Sequence, residues 1–378
     1  MKIGIDFTSA IYHRGVSRYT KNLVRSLLEN TNHQLALYGS SFRQQAKLQQ
    51  TAQELIDQSM SASRVELAWQ KYPPTALQLL WKLGLNPVGK KIKELNVFHS
   101  WDWLQPPDKN LPLVSTIHDL AIIKYPEVAH PKVVKAHQES WKILRERQAE
   151  IIAVSQATKK DIVRFLDIPS YKIHVIPEAL PREIRLVNEL LSEELAERIK
   201  LEFSLQRPYL LFVGTREPRK NLQRLIEAWL PLKNELDLIV VGESSWDNSD
   251  SIQDPNLRFF GKVSDQVLNV LYAEAEAFVY PSLDEGFGLP ILEAFYHGTP
   301  VITSNVSALI EVAGNAAELV NPEDVADINR GIKLVLNENQ QQQQQRLQRM
   351  IIRMHMFSWH LVAEQTVEVY NKAIANYD

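Results

Sequence analysis

Short β-branched apolar runs recur along the chain with helical stretches between them. One set comprises Lys2–Phe7, Leu35–Tyr38, Val97–Ser100, Leu113–His118, Ile151–Ser155 and Ile173–Pro177. A polar helical stretch follows, Arg182–Phe203, rich in Glu and Leu. A second set then comprises Tyr209–Gly214, Leu236–Gly242, Leu257–Phe260, Ala277–Pro281, Val301–Ser304 and Glu318–Val320. Runs this short and continuously apolar suit strands buried on both faces, and helices between them suit parallel βαβ units. The break near Pro181–Pro208 separates two similar halves. The pattern predicts an α/β chain of two Rossmann-like, doubly wound domains. Ligands of such sheets bind beyond the carboxyl ends of the strands. The loops after Phe7, Ile117, Val154, Val213, Val241, Tyr280 and Thr303 are therefore the places to look for chemistry.

Composition removes several classes of function. The chain has no cysteine, which excludes disulfides, thiolate nucleophiles and cysteine-ligated metals. A formal net charge of −3 gives no basic balance toward nucleic acid. No apolar stretch reaches the ~18 residues of a membrane span. The opening MKIGIDFTSA reads as a strand and lacks a signal-peptide core. These features predict a cytoplasmic protein, with peripheral attachment at the inner membrane face as a further option.

Residues 41–95 depart from the alternation. The stretch reads as mostly helical and carries Trp69, Tyr72, Trp81, Lys82, Lys90, Lys91 and Lys93. A helical insertion with a solvated face is the simpler reading, and contact with a membrane surface or an acceptor is the other. The glutamine run Gln340–Gln345 precedes Leu347, Ile351 and Ile352 at helical spacing and reads as a solvated helix.

The chemistry concentrates in SLDEGFGLPILEAFYHGTP, residues 282–300. A strand ends at Pro281, a turn Glu285-Gly286-Phe287-Gly288 follows, and Pro290 suits the first turn of a helix that Gly298 stops. A glycine turn entering a helix N-terminus offers free N–H groups to a phosphate. Glu285 and Glu293 suit hydroxyl groups on either side of that phosphate, as a nucleotide-sugar presents them. Glu293 is poorly placed as a capping-box carboxylate, because position 290 is proline rather than Ser or Thr. The loop Gly214–Asn221, GTREPRKN, places Arg216, Arg219 and Lys220 after another strand. Such cations match a diphosphate, though a solvated basic turn would look the same. His13–Tyr19, HRGVSRY, brings Gly15 to the end of the first strand, without a G-x-G-x-x-G fingerprint. Ile117-His118-Asp119-Leu120 adds a His-Asp pair at a strand end, suited to acid–base work, hydroxyl binding or a structural role.

Taken together, these segments resemble the retaining glycosyltransferases of family 4, which have the GT-B fold. The resemblance runs over essentially the whole chain. Glu285 to Glu293 resembles the family's E-x7-E motif, VGTREPRKNLQRLIEAW its basic pyrophosphate loop, and RGVSRYTKNLV its N-terminal glycine loop. STIHDL resembles the strand end bearing its active-site histidine. HGTPVITSNVSALIEVAGNAAELV resembles the stretch after E-x7-E, and FSWHLVAEQTVEVY the helix that returns to the N-terminal domain. The resemblance implies two domains facing each other across a cleft: 1–181 with the returning helix 358–378 on the acceptor side, and 182–357 for the nucleotide-sugar. It also implies roles. Glu285 would hold donor-sugar hydroxyls and Glu293 the ribose. The backbone of Gly286, Phe287, Gly288 and Leu289 would meet sugar and phosphate. Arg219 and Lys220, with Arg216 as a third, would neutralise the leaving diphosphate. His118 would contact the donor sugar, and Gly15 would touch the diphosphate from across the cleft.

The chain departs from the family pattern in places. Ser17 fills a usual glycine position, Glu178-Ala179 stands where Asn-Gly is frequent, and Leu309-Ile310-Glu311 lacks the usual proline. No Asp-x-Asp pair suggests a metal site, so the expected reaction is metal-independent and free of cofactors, with Arg219 and Lys220 in the metal's place. The expected partners are a nucleotide-sugar, with UDP-glucose ahead of GDP-mannose, and a saccharide or lipid-linked acceptor in cell-surface polysaccharide synthesis. A nucleotide-sugar epimerase and a non-catalytic nucleotide-sugar-binding protein are the alternatives on the same fold.

Overall fold

The computed structural model describes residues 1–12, 15–59, 62–243 and 254–377. His13 and Arg14 of the first loop lie outside the described residues. The chain divides into two compact units, Met1–Glu178 with Trp359–Asp378, and Ala179–Ser358.

The first unit is built on a wholly parallel sheet of β1 (Lys2–Asp6), β2 (Gln34–Ser40), β3 (Val65–Gln70), β4 (Val97–Trp101), β5 (Leu113–Ile117), β6 (Glu150–Ala153) and β7 (Ile173–Val175), in the order β3-β2-β1-β4-β5-β6-β7. The chain winds outward from β1 to β3 and then restarts at β4 on the other side of β1. That reversal opens a crevice at the carboxyl ends of β1 and β4. One face of the sheet packs Ile3, Ile5 and Leu37 against Leu23, Val24 and Leu27 of helix Gly15–Asn30. The other face packs Phe98, Leu113 and Ile151 against Trp141 and Leu144 of helix Pro131–Glu146. Helix Trp359–Ala375 joins the first face through Val362, Val369 and Tyr370. It is fixed there by hydrogen bonds from Ser26 Oγ to the Trp359 carbonyl at 2.6 Å and between Tyr370 Oη and His99 Nδ1 at 2.7 Å.

Residues 41–95 are less helical than the sequence suggests, because they contain β3. VELAWQ escapes notice as a strand because it lies at the sheet edge, where Glu66 and Leu67 are exposed and little of it is buried. Two of the aromatics counted there are packing residues. Trp81 is buried against Tyr38 and Trp69 lies against Phe7.

The second unit repeats the plan with β8 (Tyr209–Val213), β9 (Asp237–Val241), β10 (Leu257–Gly261), β11 (Ala277–Tyr280), β12 (Val301–Ser304) and β13 (Glu318–Val320), all parallel, in the order β10-β9-β8-β11-β12-β13. Here the reversal falls between β8 and β11. The strand ends approach closely: a Cβ on Gly242 would sit 1.9 Å from the Gly214 carbonyl oxygen, so only glycine fits. The polar stretch Arg182–Phe203 forms two helices, Arg182–Glu189 and Glu193–Glu202, because Ser192 caps the second by accepting from Leu195 N. The glutamine run opens helix Gln340–Met354 behind an Asn339/Gln342 capping box.

Candidate active site

The topology explains why two loops far apart in sequence meet. β8 and β11 are hydrogen-bonded neighbours at the reversal, so residues 214–221 and 281–293 leave adjacent strand ends. Asn221, in the left-handed region at φ 60°, ties them together. Its Nδ2 donates to the carbonyls of Pro281 at 2.9 Å and Pro322 at 2.7 Å. Leu283 N donates to the Arg219 carbonyl at 2.8 Å.

The side chains of this corner form one ionic cluster around Glu285. Lys220 Nζ lies 2.6 Å from Glu285 Oε1, and Arg219 Nη1 lies 2.8 Å from Oε2. Tyr280 Oη donates to Oε1 at 2.7 Å and is also 2.7 Å from Lys220 Nζ. Arg219 further donates to the Asp284 carbonyl at 2.6 Å and to Glu217 Oε1 at 2.6 Å. Arg219 and Glu285 are buried. Burial disfavours the Glu285 carboxylate, but Arg219 and Lys220, with bonds from Lys220 and Tyr280, outweigh it and hold its pKa at about 2. Burial lowers the Lys220 pKa from its ordinary value, Arg219 adds to that effect, and Glu285 opposes it.

The sequence placed Glu285 toward a sugar and Arg219 with Lys220 toward a diphosphate, on separate walls. The structure joins them directly. Among the described residues two of the three Lys220 N–H donors are used inside the cluster, by Tyr280 and Glu285, and the third is not. Arg216 stands apart: its guanidinium lies over the Phe259 ring at 4.7 Å, beside β10. The turn Gly286-Phe287-Gly288 leads into helix Leu289–Tyr296, with Gly288 at φ +118°. Phe287 is buried edge-on against Phe357, with ring centroids 5.6 Å apart. Leu289 opens the first turn, whose N–H groups face away from the helix. Glu293 is buried on this helix and accepts from Tyr272 Oη at 3.1 Å.

In the first unit, His118 follows β5. Its Nδ1 is 3.0 Å from Glu178 Oε1, and Thr158 Oγ1 donates to its carbonyl at 3.2 Å. Tyr19 meets the ring edge to face at 4.7 Å and Trp101 lies at 6.3 Å. The His118-Asp119 pairing raised by the sequence is replaced by His118-Glu178. Asp119 instead accepts from Ala121 N at 2.9 Å, closing a local turn. Gly15 opens helix Gly15–Asn30, is exposed, and a Cβ there would meet nothing within 4 Å. Ser17, in the usual glycine place, is buried and donates to the Ala10 carbonyl at 2.6 Å.

Four partners escaped the sequence reading. Glu217 stood inside the basic loop, and a carboxylate between Arg216 and Arg219 was the available signal. Glu178 was visible only as a departure from the family pattern. Tyr272 and Tyr280 are aromatic residues of a helix and a strand, with no local sign of a polar task.

Residues 13–183 match the family described as Glycosyltransferase Family 4, and residues 193–352 match that described as Glycosyl transferases group 1. The chain belongs to these glycosyltransferases, and its two parallel sheets with flanking helices are the GT-B fold. It is 29% identical to O-antigen chain mannosyltransferase B of Escherichia coli, over 94% of this chain and 95% of that one. It is 31% identical to O-antigen chain mannosyltransferase RfbU of Salmonella typhimurium, over 58% of this chain and 59% of the other. The serotype-specific mannosyltransferase WbdA of Escherichia coli is 32% identical over 51% of this chain, which spans 25% of WbdA. Among solved structures, the Anabaena protein HepE bound to UDP-glucose is similar in fold, with a TM-score of 0.69, 17% identity, and coverage of 98% of this chain and 100% of that one.

Proposed function

We propose that this chain transfers a mannosyl group from a nucleotide-mannose to a saccharide or lipid-linked saccharide in polysaccharide synthesis, with retention of configuration and without a metal ion. The observation that carries the reading is the Glu285 carboxylate shared by Lys220 and Arg219 at the reversal of the second sheet. A diphosphate next to the remaining Lys220 N–H and the first turn of helix Leu289–Tyr296 meets positive charge where its own negative charge grows. Glu285, ionised at neutral pH, accepts from sugar hydroxyls. Glu293, held by Tyr272, accepts from ribose hydroxyls. Arg219 acts mainly by holding Glu285, and Arg216 belongs to the nucleotide end, beside Phe259.

In the reaction, the anomeric C–O bond to the diphosphate breaks. The acceptor hydroxyl oxygen bonds to the same carbon from the same face, and its proton passes to the departing phosphate oxygen. No carboxylate nucleophile is needed on this route. Mannose is preferred to the UDP-glucose expected from sequence because the relatives named above, at 29–32% identity, are named mannosyltransferases. HepE, bound to UDP-glucose, is 17% identical. Metal independence rests on Lys220 and the first turn of helix Leu289–Tyr296 at the leaving group, with Arg219 behind Glu285.

The test is a panel of nucleotide-sugars read by thermal shift and by turnover. A donor at ~100 Kd adds about 2.7 kcal/mol of stability. GDP-mannose should give the largest shift and support transfer to a mannosylated acceptor. A larger shift and faster transfer with UDP-glucose would reject the mannosyl reading, and release of an epimerised sugar without acceptor would reject transfer itself.

For a lipid-linked acceptor, the exposed residues Leu79, Leu83 and Leu85, together with Lys82, Lys90, Lys91 and Lys93, are the proposed contact with the membrane surface. Among the described residues no helix is long and apolar enough to cross a membrane. Co-sedimentation with anionic vesicles should fall when Leu79 and Leu83 are changed to Ser. Unchanged sedimentation would reject the contact.

A further inference from the structure

Strand β11 ends at Tyr280, and residues 281–285 belong to no helix or strand. Side chains hold the carbonyls of this segment. Thr303 Oγ1 donates to the Tyr280 carbonyl at 2.8 Å, Asn221 Nδ2 to that of Pro281 at 2.9 Å and Ser304 Oγ to that of Ser282 at 2.6 Å. Arg219 Nη1 donates to the Asp284 carbonyl at 2.6 Å, and Ser307 Oγ to that of Glu285 at 2.8 Å. The peptide unit is planar, so a bond to its oxygen fixes the whole plane. The Ser307 bond therefore sets where the Glu285 Cα stands and how the Gly286-Phe287-Gly288 turn leaves it.

Ser307 differs from the other hydroxyl donors. Thr303 and Ser304 are fully buried at the end of β12, whereas Ser307 is half-buried and opens helix Ser307–Ala313. Its backbone lies at φ +55°, in the left-handed region. Glycine enters that region freely and Asn or Asp with little difficulty, but serine is strained there. Strain of this kind persists only where the surroundings impose it. Here they do. Leu309 of the same helix packs on the glycine turn, so that a Cβ on Gly288 would come 3.0 Å from Leu309 Cδ2. At the other end of the helix, Arg353 Nε donates to the Val312 carbonyl at 3.0 Å, and its guanidinium lies over Phe357, the ring that meets Phe287. The helix is thus braced against the Glu285–Gly288 turn from both ends, wholly inside the second unit.

We propose that Ser307 is a positioning residue that sets the Glu285 backbone, and through it the aim of the carboxylate, for glycosyl transfer. This rests on the reading of Glu285 as the acceptor of donor-sugar hydroxyls. Lys220, Arg219 and Tyr280 hold Glu285 at its tip, and Ser307 holds it at its root. A glycine at 307 would relax the backbone but would have no hydroxyl to give. Because Ser307 acts through Glu285, its effect belongs to turnover and not to the hold on a nucleoside diphosphate, which has no sugar to place.

Full-length Ser307→Gly and Ser307→Ala test the proposal. Both lose the hydroxyl, and only glycine relaxes the backbone. In urea unfolding the glycine variant should be the more stable of the two, by about fivefold in the folded-to-unfolded ratio. Both should nevertheless lose about tenfold in kcat, with nucleoside diphosphate affinity kept within about twofold. In a Glu285→Gln background, Ser307→Gly should add less than about twofold to the loss, because the group it positions is already disabled. Wild-type kcat in Ser307→Gly would overturn the proposal, and so would kcat that follows stability, with glycine near wild type and alanine low. An equal loss of nucleoside diphosphate affinity and kcat, or a Ser307→Gly loss that multiplies fully onto that of Glu285→Gln, would overturn it as well. Glu285→Gln with wild-type kcat would reject the donor-sugar reading itself, and the role of Ser307 with it, before any change at Ser307 is made.

Discussion

Glu285→Gln tests whether this carboxylate is the counter-charge of the buried cluster. In the native chain its pKa falls from the ordinary 4.5 to about 2. At about 1.36 kcal/mol per pH unit, that difference is worth about 3 kcal/mol of stability. The figure agrees with the roughly 3–5 kcal/mol lost when one partner of a buried ion pair is removed. The depressed pKa fixes the direction. The contribution is complete above 4.5 and is lost as pH falls through about 2. Glutamine keeps the shape and one acceptor oxygen but cannot neutralise Arg219 and Lys220. The variant should therefore be about 3 kcal/mol less stable than wild type at pH 7, and about 1.4 kcal/mol less stable at pH 3, where the wild type has lost much of the advantage. Urea unfolding of both full-length chains at the two pH values measures the difference. The same variant should lose at least ~100-fold in kcat, because the anionic acceptor for the donor-sugar hydroxyls is gone. A loss below ~1 kcal/mol at pH 7, or an equal loss at both pH values, would refute the counter-charge argument.

Lys220→Ala should weaken donor and free nucleoside diphosphate alike, by about 1.5–3 kcal/mol for a charge-assisted contact. Unchanged diphosphate affinity by calorimetry would remove Lys220 from that site. Glu293→Gln should raise KM and weaken nucleoside diphosphate by a similar factor with kcat nearly kept, since ribose is present in donor and product. A fall in kcat at unchanged KM would place Glu293 at the sugar instead. Activity should survive excess EDTA, and loss on chelation that Mn²⁺ or Mg²⁺ restores would reject metal independence.

The buried strands were legible because their signal is local. Ile3-Gly4-Ile5 or Leu238–Val241 can be little else than strand in a parallel sheet, and Gly298 ends its helix by its own backbone preference. The edge strand Val65–Gln70 was not legible, because an edge carries exposed Glu66 and Leu67 and its identity comes from pairing with β2. The candidate site divides the same way. Lys220, Glu285 and Glu293 could be picked out because charge in a strand-end loop or in the first turns of the apolar helix that follows is unusual. Their partners could not be. Tyr280 and Tyr272 bind the two glutamates from positions that read as core, and Glu178 reaches His118 across 60 residues of sequence. Spacing in sequence says which loops leave the same edge of a sheet, but not which side chain each loop turns toward.

The pairing of Glu285 with Lys220 and Arg219 bears on product release as much as on binding. A buried Arg219 and a half-buried Lys220 without a counter-ion would be costly in the free enzyme and would grip a nucleoside diphosphate tightly once it formed. With Glu285 and Glu217 beside them, the Arg219–Lys220 pair is close to neutral before any ligand arrives. In the proposed reaction the diphosphate would then draw on one Lys220 N–H and the helix N-terminus, a hold that favours charge on the leaving oxygen yet is shared with a resident carboxylate. On the proposed reading Glu285 would span two tasks, holding the sugar hydroxyls and tempering the cations beside the leaving group. Its removal should therefore slow transfer and, where the variant remains folded, slow the departure of the diphosphate as well.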